Sequence, residues 1–96
     1  MSTLINHNSS TNIKSLIEAS ITFLENKEFD TALYCLDKIK KNYIFNDINY
    51  YYCITFLYYG NFTLNSRNYK RAIKLYLKAD QYSKNVEYNF QNEILV

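Results

Sequence analysis

Lys27-Glu28-Phe29-Asp30-Thr31-Ala32-Leu33 and Arg67-Asn68-Tyr69-Lys70-Arg71-Ala72-Ile73 are one local pattern written twice, forty residues apart. In each, an aromatic residue stands three places before a lone alanine, and an aliphatic follows the alanine at once. A bulky apolar residue comes four places later (Leu36, Tyr76), and a small or apolar one seven places later (Ile39, Ala79). Spacings of three, four and seven trace one face of an α-helix. Recurrence at a fixed interval of this size is how a helix-turn-helix repeat looks in sequence.

Polar triplets lead into the aromatic of both stretches, Glu25-Asn26-Lys27 and Ser66-Arg67-Asn68, and read as turns. A first helix is expected to begin after Ser10, Thr11 or Asn12, any of which can cap it, and to carry Ile13, Leu16, Ile17, Ile21, Phe23 and Leu24. Residues 1–11 are polar and aperiodic and are expected to form a flexible tail. A second helix is expected over about Glu28–Asn42, with Lys38, Lys40 and Lys41 near its end, where positive charge favours a helix C-terminus. Tyr43-Ile44-Phe45 then connects to a third helix, capped by Asn46 or Asp47 and reaching about Asn65. Its run from Tyr50 to Tyr59 is apolar nearly all round, and its β-branched and aromatic content also suits a buried strand. Ten continuous residues exceed a usual strand, so helix is the expectation, and a helix of this kind should be the most buried. A fourth helix is expected over Tyr69–Tyr82, and Asn85 can cap a last one carrying Val86, Phe90, Ile94 and Leu95.

The expected fold is therefore all-α, an antiparallel helix-turn-helix array of four helices plus a C-terminal capping helix. One helical domain should span 12–96, with repeats at about 13–45 and 47–84 and a cap at 85–96.

Composition narrows the function classes. The chain has no proline and one glycine, Gly60, so little interrupts its helices. A hydrophobic share of 48% with 21% charged residues suits a folded soluble domain. No apolar run approaches the roughly 20 residues that span a bilayer. The first residues lack a basic start and an apolar signal core, which points to an intracellular protein, cytoplasmic or nuclear. Cys35 and Cys53 then read as reduced, buried thiols; without a second pair or clustered histidines they make a poor metal site. The single histidine, His7, lies in the tail, and no glycine-rich phosphate loop occurs. No catalytic constellation and no cofactor site is expected. Asparagine, isoleucine, lysine and tyrosine have codons built only of A and T, so the eleven tyrosines carry a codon bias besides any binding role.

The four helices together resemble two tetratricopeptide repeats, over roughly residues 13–84. In the second, Gly60 stands where that family keeps a small residue at the close approach of its helices. Phe56 replaces the usual first-helix tryptophan, and Tyr69, Ala72, Tyr76 and Ala79 fill the aromatic and small places of the second helix. In the first, Ala19, Ser20, Phe23, Phe29, Ala32 and Leu36 are acceptable, while Leu16 and Ile39 depart from the pattern. The usual proline after each second helix is missing (Ile44 and Lys84 stand there), and the forty-residue interval exceeds the typical period of about 34.

The resemblance implies a non-catalytic protein-interaction module, a scaffold or adaptor in a multi-subunit assembly. The first helix of each repeat would line a concave binding face: Lys14, Ile17, Glu18, Ile21, Leu24 and Glu25, then Ile54, Leu57, Tyr58, Asn61, Leu64 and Asn65. The family's chaperone-binding members grip a peptide carboxylate there with polar donors. Ile17, Ile21 and Tyr58 occupy those places here, so an apolar or mixed peptide fits better. An alternative is a structural or self-associating piece of a larger repeat protein, such as a repeat subunit of the anaphase-promoting complex; two repeats are fewer than the about three that normally suffice.

A third reading rests on Arg67, Lys70, Arg71, Lys74 and Lys78, which share one side of the fourth helix, with Tyr76 and Tyr82 interleaved as candidates to stack on bases. A net charge of +2 argues against nucleic acid as the main partner. A solvated helix face is the ordinary meaning of such a row, and an acidic protein is the next.

Overall fold

The computed structural model describes residues 2–86, with side chains from Asn12 onward. Four α-helices follow one another: α1 (Ser2–Glu25), α2 (Phe29–Asn42), α3 (Ile48–Asn65) and α4 (Tyr69–Ser83). The described chain is all-α. The run Tyr50–Tyr59 lies inside α3, so helical period prevails over its strand-forming composition. The expected last helix, with Phe90, Ile94 and Leu95, falls outside the described residues.

α1 begins at Ser2, not after Ser10, Thr11 or Asn12. The reason is physical: no proline or glycine stops the helix there, and a capping preference worth about 1 kcal/mol does not by itself end a helix.

The chain divides into two compact units, Met1–Phe45 and Asn46–Val96. Each holds a hairpin of two packed helices, α1 with α2 and α3 with α4.

The two hairpin turns are built alike. The Lys27 N–H donates to the Leu24 carbonyl at 3.0 Å and the Glu28 N–H to that of Phe23 at 2.8 Å. Forty residues on, Arg67 donates to Leu64 and Asn68 to Thr63, both at 2.9 Å. This paired bonding satisfies carbonyls that a helix end leaves unpaired, and it normally uses glycine in the left-handed region. Here Lys27 and Arg67 occupy that region, both at φ 64, at a cost of about 1–2 kcal/mol each. The next helix then starts against the same residue in each hairpin: Ala32 donates to Glu28 and Ala72 to Asn68, at 3.0 Å in both. The Asn68 side chain also caps α4 by accepting from the Arg71 N–H at 3.4 Å.

In the first unit, Ala32, Leu36 and Ile39 of α2 are fully enclosed and Phe29 and Cys35 are buried, with Ile17 and Ser20 of α1. Enclosing Leu36 and Ile39 contributes about 1.5–3 kcal/mol each. Asn12, near the α1 start of the described side chains, donates its amide to the Tyr43 hydroxyl after α2 at 3.3 Å, as an antiparallel pair requires.

In the second unit, α3 is apolar all round yet buried on one side only. Tyr52, Cys53, Thr55, Phe56, Gly60 and Thr63 form that side, against Ala72, Leu75 and Ala79 of α4. The Tyr82 ring stacks on Tyr52 with centroids 4.7 Å apart and on Phe56 at 5.7 Å. At the other end of the hairpin the helices close on Gly60. A Cβ added there would lie 2.8 Å from a Tyr76 ring carbon, so any larger side chain would have to push that ring aside. The buried hydroxyls of Ser20, Thr55 and Thr63 donate to the carbonyls of Ile17, Tyr51 and Gly60, which removes the cost of burying them unpaired.

Candidate functional site

The surface residues singled out from sequence divide cleanly when each unit is taken by itself. On α3, Leu57, Tyr58, Leu64, Asn61 and Asn65 are exposed and Ile54 is half-buried. Steps of three, four and seven residues put them on one side of the helix, opposite Tyr52, Phe56 and Thr63. Leu57 is 43% exposed although it directly follows the buried Phe56 ring in sequence order. The face combines aliphatic and aromatic bulk with two carboxamides. Its backing is firm, because Asn61 Oδ1 accepts the Tyr76 hydroxyl proton. That bond fixes the Asn61 side chain and orients its amide donors, and it ties the face to the same ring that fills the space beside Gly60.

On α1 the picture changes. Ile21 is exposed and Leu24 half-buried, but Ile17 is only 8% exposed and belongs to the core. Ile17 borders the arc of Leu16, Ser20 and Leu24 that turns inward, and helical spacing alone does not say which edge of such an arc is covered. Its counterpart forty residues on is Leu57, which is exposed.

The packing residues also hold one correction. Ala32, Gly60, Ala72 and Ala79 are buried, and Tyr76 is half-buried against Gly60. Tyr69, expected to pack, is instead exposed, whereas its counterpart Phe29 is buried. Being in the same register decides the direction of a side chain, but a neighbour has to be present to cover it.

The row of positive charge is not a uniform solvated ridge. Arg71 Nη2 donates to the Tyr59 hydroxyl at 2.7 Å, and its guanidinium lies 5.1 Å from that ring's centroid. The Lys78 ammonium lies 5.6 Å from the Phe56 centroid. Both therefore lean back on α3, in contacts worth about 0.5–1 kcal/mol at exposed sites. Arg67, Lys70 and Lys74 are exposed. The two tyrosines interleaved with that row already have contacts inside the hairpin: Tyr82 lies against both the Tyr52 and Phe56 rings, and Tyr76 is engaged with Gly60 and Asn61.

Cys35 and Cys53 are buried free thiols. Burial pushes both up from the ordinary thiol value; Lys38 partly offsets this at Cys35, and Asp80 adds to it at Cys53. A raised thiol is a poor nucleophile and a poor metal ligand at neutral pH. Among the described residues no group of three or more metal-ligating side chains comes together, and no helix is long and apolar enough to cross a membrane.

No protein-family model, no curated protein and no solved structure matches this chain. The reading of the surface therefore rests on its own chemistry.

Proposed function

We propose that this chain is a protein-interaction module of tetratricopeptide-like design, a scaffold or adaptor without catalytic chemistry, and that it engages its partner through the exposed face of α3. The observation that carries this reading is the helix's one-sided burial. A helix apolar on every side holds Leu57, Tyr58 and Leu64 in water, an arrangement that costs solubility and is ordinarily kept where another surface covers it. Tyr58 and the leucines supply the apolar anchor, and Asn61 and Asn65 supply directional hydrogen bonds. Together they suit an apolar or mixed peptide better than a strongly charged one.

The test uses the full chain, immobilised, with Leu57→Ser and Tyr58→Ala as surface variants. Proteins retained by the wild type should be lost by both variants while the helical circular dichroism stays unchanged, with affinity falling at least about tenfold, or 1.4 kcal/mol. Unchanged capture would remove the α3 face from the mechanism. Unfolding by Leu57→Ser would make that residue core. A dimer in sedimentation that Leu57→Ser dissolves would assign the face to a second copy, as in a self-associating structural subunit.

A further inference from the structure

The second hairpin has another apolar feature, on α4 and away from the α3 face. Tyr69, Ile73 and Leu77 recur every four residues and are 57%, 59% and 63% exposed. They form a ridge about 12 Å long along the helix. The matching places on α2 are Phe29, Leu33 and Asp37; there Phe29 is buried and Leu33 half-buried. Asp37 is exposed and charged, so a continuous exposed apolar ridge of three side chains is a feature of α4 and not of α2.

α4 therefore has three sides. Ala72, Leu75 and Ala79 face α3, the ridge faces outward, and Lys70 and Lys74 run along the ridge's far flank. Past Leu77, the Asp80–Lys84 pair at 3.5 Å closes the end with opposite charges. Lys70 and Lys74 are the cations nearest the ridge, and Arg71 and Lys78, beside the Tyr59 and Phe56 rings, add positive charge further round the helix.

Three occupants compete for such a surface. A ridge of side chains four residues apart is the shape that seats in the groove of a second helix. A lipid surface calls for a broader apolar face with cations on both borders, and this ridge is one side chain wide with cations on one. A second copy in two-fold antiparallel pairing would set Lys70 and Lys74 beside their own counterparts, and like charges so placed repel. Opposite charge on the incoming helix removes that repulsion.

We propose that α4 docks an acidic amphipathic helix of a partner protein, its apolar stripe on Tyr69, Ile73 and Leu77 and its carboxylates on Lys70 and Lys74. This goes beyond the α3 face and fails or stands separately from it, though both make the chain a protein-binding module. Two such faces on one hairpin would let it bridge two partners.

The experiment is fluorescence anisotropy of the full chain with a labelled helical peptide of leucine at helical spacing and glutamate elsewhere. The comparators are its lysine counterpart, a glutamate peptide with serine in place of leucine, and phosphatidylserine–phosphatidylcholine vesicles. The glutamate–leucine peptide should bind at least tenfold more tightly than any comparator, and more weakly as salt rises. Ile73→Ser and, independently, Leu77→Ser should each lower its affinity about tenfold with helical content unchanged. Lys70→Glu with Lys74→Glu should reverse the preference toward the lysine peptide, and Leu57→Ser should change nothing. The proposal is overturned if the peptide does not bind, if Ile73→Ser and Leu77→Ser leave binding intact, or if the vesicles take up the chain in preference. It is equally overturned by a dimer that Ile73→Ser dissolves. A gain in peptide affinity on Phe90→Ser would also overturn it, by assigning the ridge to the chain's own last residues.

Discussion

At the scale of single residues, Gly60 and Tyr76 act as one unit. Glycine inside a helix costs about 1 kcal/mol relative to alanine, so an alanine at position 60 should help α3. The phenol ring opposes it, because the added carbon would sit 2.8 Å from Tyr76, and overpacking of this kind costs about 1–3 kcal/mol. Gly60→Ala should therefore lower stability by about 1 kcal/mol net in urea unfolding followed by circular dichroism. In a Tyr76→Leu background the same change should raise stability by about 1 kcal/mol; a loss there of the same size as in the wild type would show that the ring is not what excludes the methyl. The first hairpin shows the same trade in its sequence: Ser20 stands in place of Gly60 and Leu36 in place of Tyr76. The smaller second-helix side chain accompanies the larger first-helix one.

At the scale of elements, much was legible before any coordinates. The starts and ends of α2, α3 and α4 follow from two polar triplets and a helical period, whereas the capping bond that Asn68 makes inside the second triplet was not among the expectations. Asp47, by contrast, makes no side-chain cap bond. The start of α1 was not legible, since several equivalent caps with no helix breaker leave the boundary to weak terms. Nor were Ile17 and Tyr69, because periodicity assigns a side chain to a face, whereas burial depends on whether something lies opposite that face. The left-handed turns were hidden too, as nothing in Lys27 or Arg67 announces a conformation that glycine prefers. They give a direct prediction. Lys27→Gly should raise stability by about 0.5–1 kcal/mol, the left-handed penalty removed less glycine's extra unfolded freedom. Lys27→Val should lower it by more than about 1 kcal/mol, since β-branching is least tolerated at positive φ. Equal stability of the two variants in chemical denaturation would sink this account of the turn.

At the scale of the molecule, each unit carries one buried thiol, and the two give the protein a common alkaline weakness. With folded values raised above the unfolded ones, the folded chain holds these protons more tightly. That contribution is fully present below the ordinary thiol value of 9.0 and is lost as pH rises through the raised folded values. Thermal unfolding should therefore show a melting temperature that falls above about pH 9, and less steeply in a Cys35→Ala, Cys53→Ala double variant. A thiol-specific disulfide reagent at pH 8 should react slowly with the native chain and promptly in denaturant; prompt reaction in the native state would place the thiols at the surface. The tight fit of ring against backbone in the second hairpin also reaches past any one molecule. Under mutational drift rich in A and T, positions 60 and 76 are not independent letters. A lineage that gains bulk at the first loses stability unless it also trims the second, so descendants of this chain should show the two tending to vary together, and a comparison of such descendants would reveal the contact from sequence alone.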